Sequence, residues 1–409
     1  MTKGVAMSLS RKQFLRMIGF GALAAGAPLP RAAAKSIEPA RQGSGSFKIT
    51  GVEIYLFDLP LAAPFRIAIG EMTAANDLLV RVHTDQGITG LGEACPFPPI
   101  TGETQAANAA AAVAIRDMVV GRDALAADSL LRRVGPIVHS NPSAVAAYDM
   151  AFLDILGQAA GLPLYRLFGG DRRTFETDIT VGLDAPEAMA REAGRFLDLG
   201  YRTIKAKVGL DPDEDAARVR AVREAVGPDV RLRIDANQGW TVPQAIDALR
   251  KMEKFRIQFV EQPVAASDTP GLRAVRNQSP IPVMADEACF LPPDAVRLIR
   301  AEACDYFNIK LMKAGGILNA VRIAHVADAA DMKCMVGCML ESKVALTAAA
   351  HVVASQANIV YADLDGNAEH TADPVAGGFT IKGGMLTLTD KPGLGCDVDP
   401  AFLRALRKV

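Results

Sequence analysis

The chain has 409 residues, half of them hydrophobic and 22% charged, with 45 basic and 46 acidic side chains and a formal net charge of -1. That length exceeds a single small domain and suits one large barrel with a smaller companion. Charge so evenly balanced offers no electrostatic footprint for nucleic acid, although a locally charged cleft stays open.

The first 34 residues read as an export signal. Ser10-Arg11-Lys12-Gln13-Phe14-Leu15-Arg16 precedes an apolar run at 17–29, and Arg31-Ala32-Ala33-Ala34 supplies small residues at a cut site. The basic stretch resembles a twin-arginine signal whose second arginine is lysine, which predicts a periplasmic protein exported by that route. Glycines and a proline interrupt the apolar run, and it falls short of the ~20 residues of a membrane span. No stable span is therefore expected in the mature form. Residues 35–46 form a Gly- and Ser-containing linker.

Residues 47–170 predict a small α+β domain. Ile49, Val52, Ile54, Leu56 and the run Leu78-Leu79-Val80 read as strands, and the Ala-rich stretch 105–160 reads as helices broken near Gly121, Pro136 and Pro142. From 171 to 378 short strands alternate with amphipathic helices. The strands are expected at 177–180, 203–207, 231–235, 257–261, 281–285, 306–310, 334–338 and 359–363, with Asp213 as a helix cap. Eight such units match a (β/α)8-type barrel. The rival, an open doubly wound sheet, would be expected to carry a G-x-G-x-x-G loop, and none follows the first strand. The segment 379–409 predicts a strand pair around Lys382-Gly383-Gly384 and a short helix, returning to the N-terminal domain. Six cysteines in so large a chain are read as mainly buried thiols, with disulfides unassigned.

Three acids stand just beyond apolar strands: Asp235, Glu261 and Asp286, spaced 26 and 25 residues apart. Each interval is about one strand–helix unit, so the three ring the carboxyl-terminal mouth of the barrel. A single such acid is commonly a helix cap; three in register point to a cation. Converging carboxylates repel one another, and oxygen ligands without a His or Cys cluster suit Mg2+, with Mn2+ as the alternative. Lys205 and Lys207 share one face of a strand by period-two alternation, and Lys310 ends the strand beyond Asp286. In a closed ring Lys207 and Lys310 face each other across the metal. A proton beside a carboxylate is too weakly acidic for an unaided amine, so the metal must neutralise the developing ene-diolate. The cation and burial are expected to lower the lysine pKa values. One base on each face inverts a centre, and Lys205 adds charge or binds a substrate carboxylate. Asn237, Glu287 and Ser342 are candidates for holding ligands or water, while the five histidines, His325 and His351 among them, gain no catalytic role.

Lys205-Ala206-Lys207, Asp235-Ala236-Asn237, Glu261-Gln262-Pro263, Asp286-Glu287 and Lys310 together resemble the site of the muconate-lactonising branch of the enolase superfamily. The resemblance implies a capping domain over a modified (β/α)7β barrel, one Mg2+ on the three acids, and the lysines as acid/base pair. It is closer still to the dipeptide epimerases typified by L-Ala-D/L-Glu epimerases. The stretches 308–316, 335–341 and Ala362-Asp363-Leu364-Asp365-Gly366 carry it. By that resemblance Asp363 and Asp365 hold the α-ammonium of an L,X-dipeptide whose second residue is inverted, with Ala-Glu the first choice and a hydrophobic second residue next. Some members grasp Glu with a basic residue in the capping loop; Gly70 stands at one such place here, and Arg66 lies nearby, where it either meets an acidic side chain or holds the loop. N-acylamino acid racemisation, cycloisomerisation and acid-sugar dehydration are rival activities on this scaffold. A non-catalytic periplasmic peptide-binding protein is the rival of another class. A homo-oligomer is compatible with the chain.

Overall fold

The computed structural model describes residues 45–409; the predicted export signal and most of the predicted linker lie outside the described residues. Three antiparallel strands open the fold: β1 (Ile49–Ile67), β2 (Gly70–Thr84) and β3 (Thr89–Ala94). The helix Pro142–Ala160 lies directly on β3, and glycine is required there. A Cβ at Gly92 would stand 1.8 Å from the Ala147 carbonyl oxygen. The approach buries Tyr148, Phe152 and Ile155 in the core of this cap.

After β4 (Thr174–Glu176) come eight parallel strands: β5 (Ile179–Val181), β6 (Thr203–Lys207), β7 (Arg231–Asp235), β8 (Ile257–Glu261), β9 (Val283–Ala285), β10 (Tyr306–Ile309), β11 (Lys333–Gly337) and β12 (Ile359–Asp363). Each pairs with its sequence neighbours, and a hydrogen bond from Asp178 N to Ala362 O (3.2 Å) joins the two ends of the sheet. Helices connect β5 through β12, and only a short 3-10 turn, Gly366–Glu369, follows the last strand. The architecture is thus a (β/α)7β barrel. The helix Pro212–Val226 is capped by Asp211, whose side chain accepts from Asp213 N and Glu214 N, rather than by Asp213 as the sequence predicts. Pro212 at the first helical position accounts for the shift, since its missing N–H costs nothing there.

Alternation along the barrel strands turns Phe259, Met284 and Met335 inward as a fully buried plug. Arg233 joins them, lying 4.8 Å from the Tyr361 ring and 5.3 Å from the Phe259 ring and pairing with buried Asp178 at 2.6 Å. Below this mouth the barrel is packed rather than open.

The tail divides between two destinations. After β13 (Val375–Gly377), β14 (Phe379–Lys382) pairs with β15 (Met385–Leu388) and β15 with β4, while β16 (Cys396–Val398) pairs with β13. Only β17 (Arg407–Lys408) adds to the cap sheet, with Leu56 opposite Arg407, and Phe402 meets Phe57 edge-on. All six cysteines are free thiols; five are buried and Cys396 is partly covered.

Candidate active site

Register places the acids. Lys207 pairs with Asp235 across β6 and β7, and Asp235 with Glu261 across β7 and β8. Glu261 pairs with Met284, two residues before Asp286. All three carboxylates are fully buried, together with Lys205, Lys207 and Lys310. Lys207 Nζ donates to Asp235 Oδ2 (2.7 Å) and Asn237 Oδ1 (3.0 Å), and Lys310 Nζ lies 3.0 Å from Asp286 Oδ2. Lys205 reaches 4.0 Å from Asp235 and 3.8 Å from Glu261 while bonding closely to Asp363. One ammonium therefore touches the acid arc and Asp363 together, so Asp235 and Glu261 face a common point. Lys207 on the second strand of the ring and Lys310 after the sixth stand half a turn apart.

The donor set fits a hard divalent ion. Glu261 Oε2 and both Asp286 oxygens are buried without a hydrogen-bond donor; the lysine contacts of Asp286 are ionic rather than aligned. Burial and the neighbouring Asp235 push Glu261 well above the usual carboxylate range, the unfavourable state that a cation relieves. Donor atoms of Cys338, Asp363 and Asp365 come closer, within 4.8 Å of one another, which the acid trio does not. That tighter group makes the poorer metal site. Burial lifts the Cys338 thiol well above its ordinary pKa, and Lys205 already occupies Asp363.

Without a cation, the neighbouring carboxylates favour the charged form of Lys310 and Lys205. Burial opposes the charge on Lys310, yet Asp286 and Glu261 outweigh it and hold the amine above its ordinary value. Lys205 is raised likewise by Asp363, Glu261 and Asp235 against its burial. Asn237 Nδ2 donates to Glu287 Oε1 (3.1 Å), and burial beside Asp286 and Asp235 pushes Glu287 up to about 8. These two residues therefore stand behind Lys207. Ser342 stands elsewhere: it starts the helix Lys343–Ser355 and gives its N–H and hydroxyl to Glu93 of the cap, both at 2.8 Å.

On the far side of the ring Asp365 accepts the Thr180 N–H at 2.6 Å and lies 3.6 Å from Cys338 Sγ. Burial would raise Asp363, but Lys205 and Lys310 bring it down to about 2, leaving a carboxylate.

The cap closes the mouth through the β1–β2 hairpin tip. Leu183 N donates to Arg66 O (3.0 Å), and Ala68 stands so near Gly209, whose φ is 115°, that a Cβ there would lie 2.9 Å from Ala68 Cβ. The cavity beneath is lined from the cap by Phe65, Ile67, Phe97 and Ile100, and from the barrel by Lys205, Lys207, Lys310, Asn237, Thr180, Met339, Cys338, Asp363 and Asp365. Arg66 is not among the lining residues. Its side chain is half exposed and pairs with Glu71 at 2.5 Å on the outer face of the hairpin. Of the two roles open to Arg66, the pairing with Glu71 matches holding the loop, and the cap presents to the cavity an apolar wall whose sequence signal is the alternation of Phe65 and Ile67 around Arg66. A roomier groove, bordered by Arg132, His139, Leu318 and Arg322, gathers none of the acid trio.

Comparison with known proteins agrees with this geometry. Residues 50–169 match the mandelate racemase/muconate lactonizing enzyme N-terminal domain, and residues 188–402 match the enolase C-terminal domain-like family. An L-Ala-D/L-Glu epimerase of Clostridium acetobutylicum is 43% identical over 85% of this chain and 98% of its own length. A hydrophobic dipeptide epimerase of Enterococcus faecalis is 40% identical over 85% of this chain and 99% of its own. The crystal structure of a dipeptide epimerase from Cytophaga hutchinsonii, complexed with Mg and D-Ala-L-Val, superposes with a TM-score of 0.87 at 39% identity, covering 88% of this chain and 99% of that one. The chain belongs to the mandelate racemase/muconate lactonizing enzyme branch of the enolase superfamily, within its dipeptide-epimerase-like family.

Proposed function

We propose that this protein is a Mg2+-dependent epimerase that inverts the α-carbon of the second residue of a dipeptide, and that this residue carries an apolar side chain. The observation that carries the second half is the cap wall of Phe65, Ile67, Phe97 and Ile100 standing over Lys207, with Phe65 5.8 Å from its Nζ. A side chain on the carbon that Lys207 serves meets that wall. Ala-Glu, the first choice by resemblance, finds no basic side chain from Arg66, which pairs with Glu71 outside the cavity.

Asp235, Glu261 and Asp286 are the residues that would hold Mg2+, which supplies positive charge against a substrate carboxylate and the negative charge that develops beside it. Lys207 and Lys310 serve opposite faces of the α-carbon: one takes the proton and the other returns one, with inversion. Asp235 and Asn237 fix the Lys207 ammonium, and Asp286 fixes that of Lys310. Asp365, steadied by Thr180 N–H, and Asp363 receive the α-ammonium of the first residue. The apolar wall keeps bulk water from the reacting carbon. Export of the chain, read from residues 1–34, belongs to the same proposal and places the activity among extracytoplasmic peptides.

Incubating the protein with Mg2+ and a dipeptide library in D2O tests the reading. Deuterium should enter the α-position of the second residue, with kcat/KM for Leu, Met or Phe there exceeding that for Glu by about tenfold or more. Absence of exchange with every dipeptide overturns the epimerase reading; a preference for Ala-Glu overturns the apolar one.

A further inference from the structure

We infer that Lys313 is a positioning residue that sets the metal-binding geometry of Asp286 and Glu261 from behind the site, a role that rests on reading Asp235, Glu261 and Asp286 as the Mg2+ ligands. Lys313 is 1% exposed and among the largest fully buried side chains. Its Nζ donates to three carbonyl oxygens, Asp286 O (2.5 Å), Cys289 O (3.0 Å) and Asn308 O (3.1 Å). An ammonium has three donors and no acceptor, so these carbonyls saturate it. The remaining contact, 2.5 Å to Asp286 Oδ1, is an ion pair.

The three carbonyls come from two neighbouring segments of the barrel. Asp286 and Cys289 belong to the loop after β9, and Asn308 lies on β10. Asn308 Nδ2 in turn donates to Glu261 Oε1 at 2.7 Å. A single buried cation thus orients Asp286 directly and Glu261 through Asn308. Lys310, three residues earlier, lines the reaction cavity and touches the other Asp286 oxygen; Lys313 is absent from that lining. The two lysines divide the labour, with Lys310 facing substrate and Lys313 facing the scaffold.

Burying an ammonium is costly unless it is paired and hydrogen-bonded, and four oxygens meet that demand here. Its charge also repels a nearby divalent ion, so removal has two opposed consequences. The loss of three carbonyl partners at once should dominate, because the loop that presents Asp286 then loses its tie to β10.

Calorimetric titration of Mg2+ into the metal-stripped full chain, without substrate, separates these effects. Lys313→Met and Asp235→Asn should each weaken Mg2+ binding about tenfold or more at unchanged near-ultraviolet circular dichroism. Lys313→Arg, which keeps both charge and donors, should restore affinity to within about threefold of the parent. If the Met variant does not fold, Lys313→Gln carries the same expectation. Mg2+ binding as tight as the parent's, or tighter, in an uncharged Lys313 variant while Asp235→Asn is impaired overturns this inference alone. Unaltered binding in Asp235→Asn overturns the metal reading and this inference with it.

Discussion

The floor and the roof of the cavity are built on different rules. The floor is set by parallel pairing: Lys207, Asp235 and Glu261 are consecutive register partners, so their side chains converge wherever the barrel forms. The roof hangs from an antiparallel hairpin whose register shifts between Pro60 and Phe65. Across that shift the odd-numbered residues of β1 keep facing inward, from Leu59 and Leu61 to Phe65 and Ile67, while Arg66 faces outward. The proposed chemistry therefore rests on the parallel barrel, and the proposed selectivity on the hairpin that supplies the apolar wall.

The sharpest way to break this division is to remove the bases. Lys207→Ala and Lys310→Ala should each reduce epimerisation by about a thousandfold while dipeptide binding is largely kept. Each variant should still exchange the α-proton of one epimer, read by NMR in D2O. Unchanged turnover in both variants removes the two-base scheme.

The joint between floor and roof has its own expected signature. His351, in the barrel helix Lys343–Ser355, accepts Tyr165 N–H through Nδ1 and faces Leu394 O through Nε2. Burial lowers its pKa to about 4, and the proton it would gain belongs on the nitrogen that accepts Tyr165. A folded value below the unfolded 6.5 means the unfolded chain binds the proton first. The contribution is therefore complete above about pH 6.5 and shrinks as pH falls toward 4, by about 3 kcal/mol in all. Chemical denaturation at pH 7 and pH 4.5 should show that loss, and His351→Gln should diminish it. An equal pH dependence in the two proteins contradicts this assignment.

Within the floor, Asp235→Asn or Glu261→Gln should weaken Mg2+ affinity by about 10- to 100-fold with activity falling in parallel. Titrating Mg2+ while following both quantities checks this; affinity unaffected by either change removes that residue from the ligand set.

How much of this was legible follows from the same contrast. The strands at 203–207, 231–235 and 257–261 appear where apolar periodicity puts them, and Lys207, Asp235 and Glu261 fall at their ends. The eight-strand barrel order was readable because strand and helix periods alternate over some 200 residues, whereas the missing last helix of the (β/α)7β form was implied only by the resemblance. The cap wall left only the alternation of Phe65 and Ile67 around Arg66, and Phe97 and Ile100 join it from a separate segment that tertiary structure brings alongside. Lys313 was hidden for a different reason. A lysine in an apolar stretch reads alike whether it snorkels to water or caps three carbonyls, and only tertiary structure tells them apart. Ser342 illustrates the converse: it follows the seventh strand end in sequence, while its partner is Glu93 of the cap. The tail was half legible, its hairpin evident in sequence but paired with β4 rather than with the cap.

The roof can be rewritten more gently than the floor. Ile67→Arg sets a cation where an apolar side chain now faces substrate, and the kcat/KM ratio of Ala-Glu to Ala-Leu should rise about tenfold. Arg66→Ala, one residue away on the outer face, should change that ratio by no more than about twofold, because an exposed ion pair with Glu71 contributes little. The pair of substitutions is informative only together. If Arg66→Ala depresses Ala-Glu turnover as strongly as Ile67→Arg promotes it, the hairpin must turn over when an acidic side chain enters, exchanging its faces across the bulge. If Arg66→Ala is silent, the inward set is fixed by the β1–β2 register, and specificity belongs to Phe65 and Ile67.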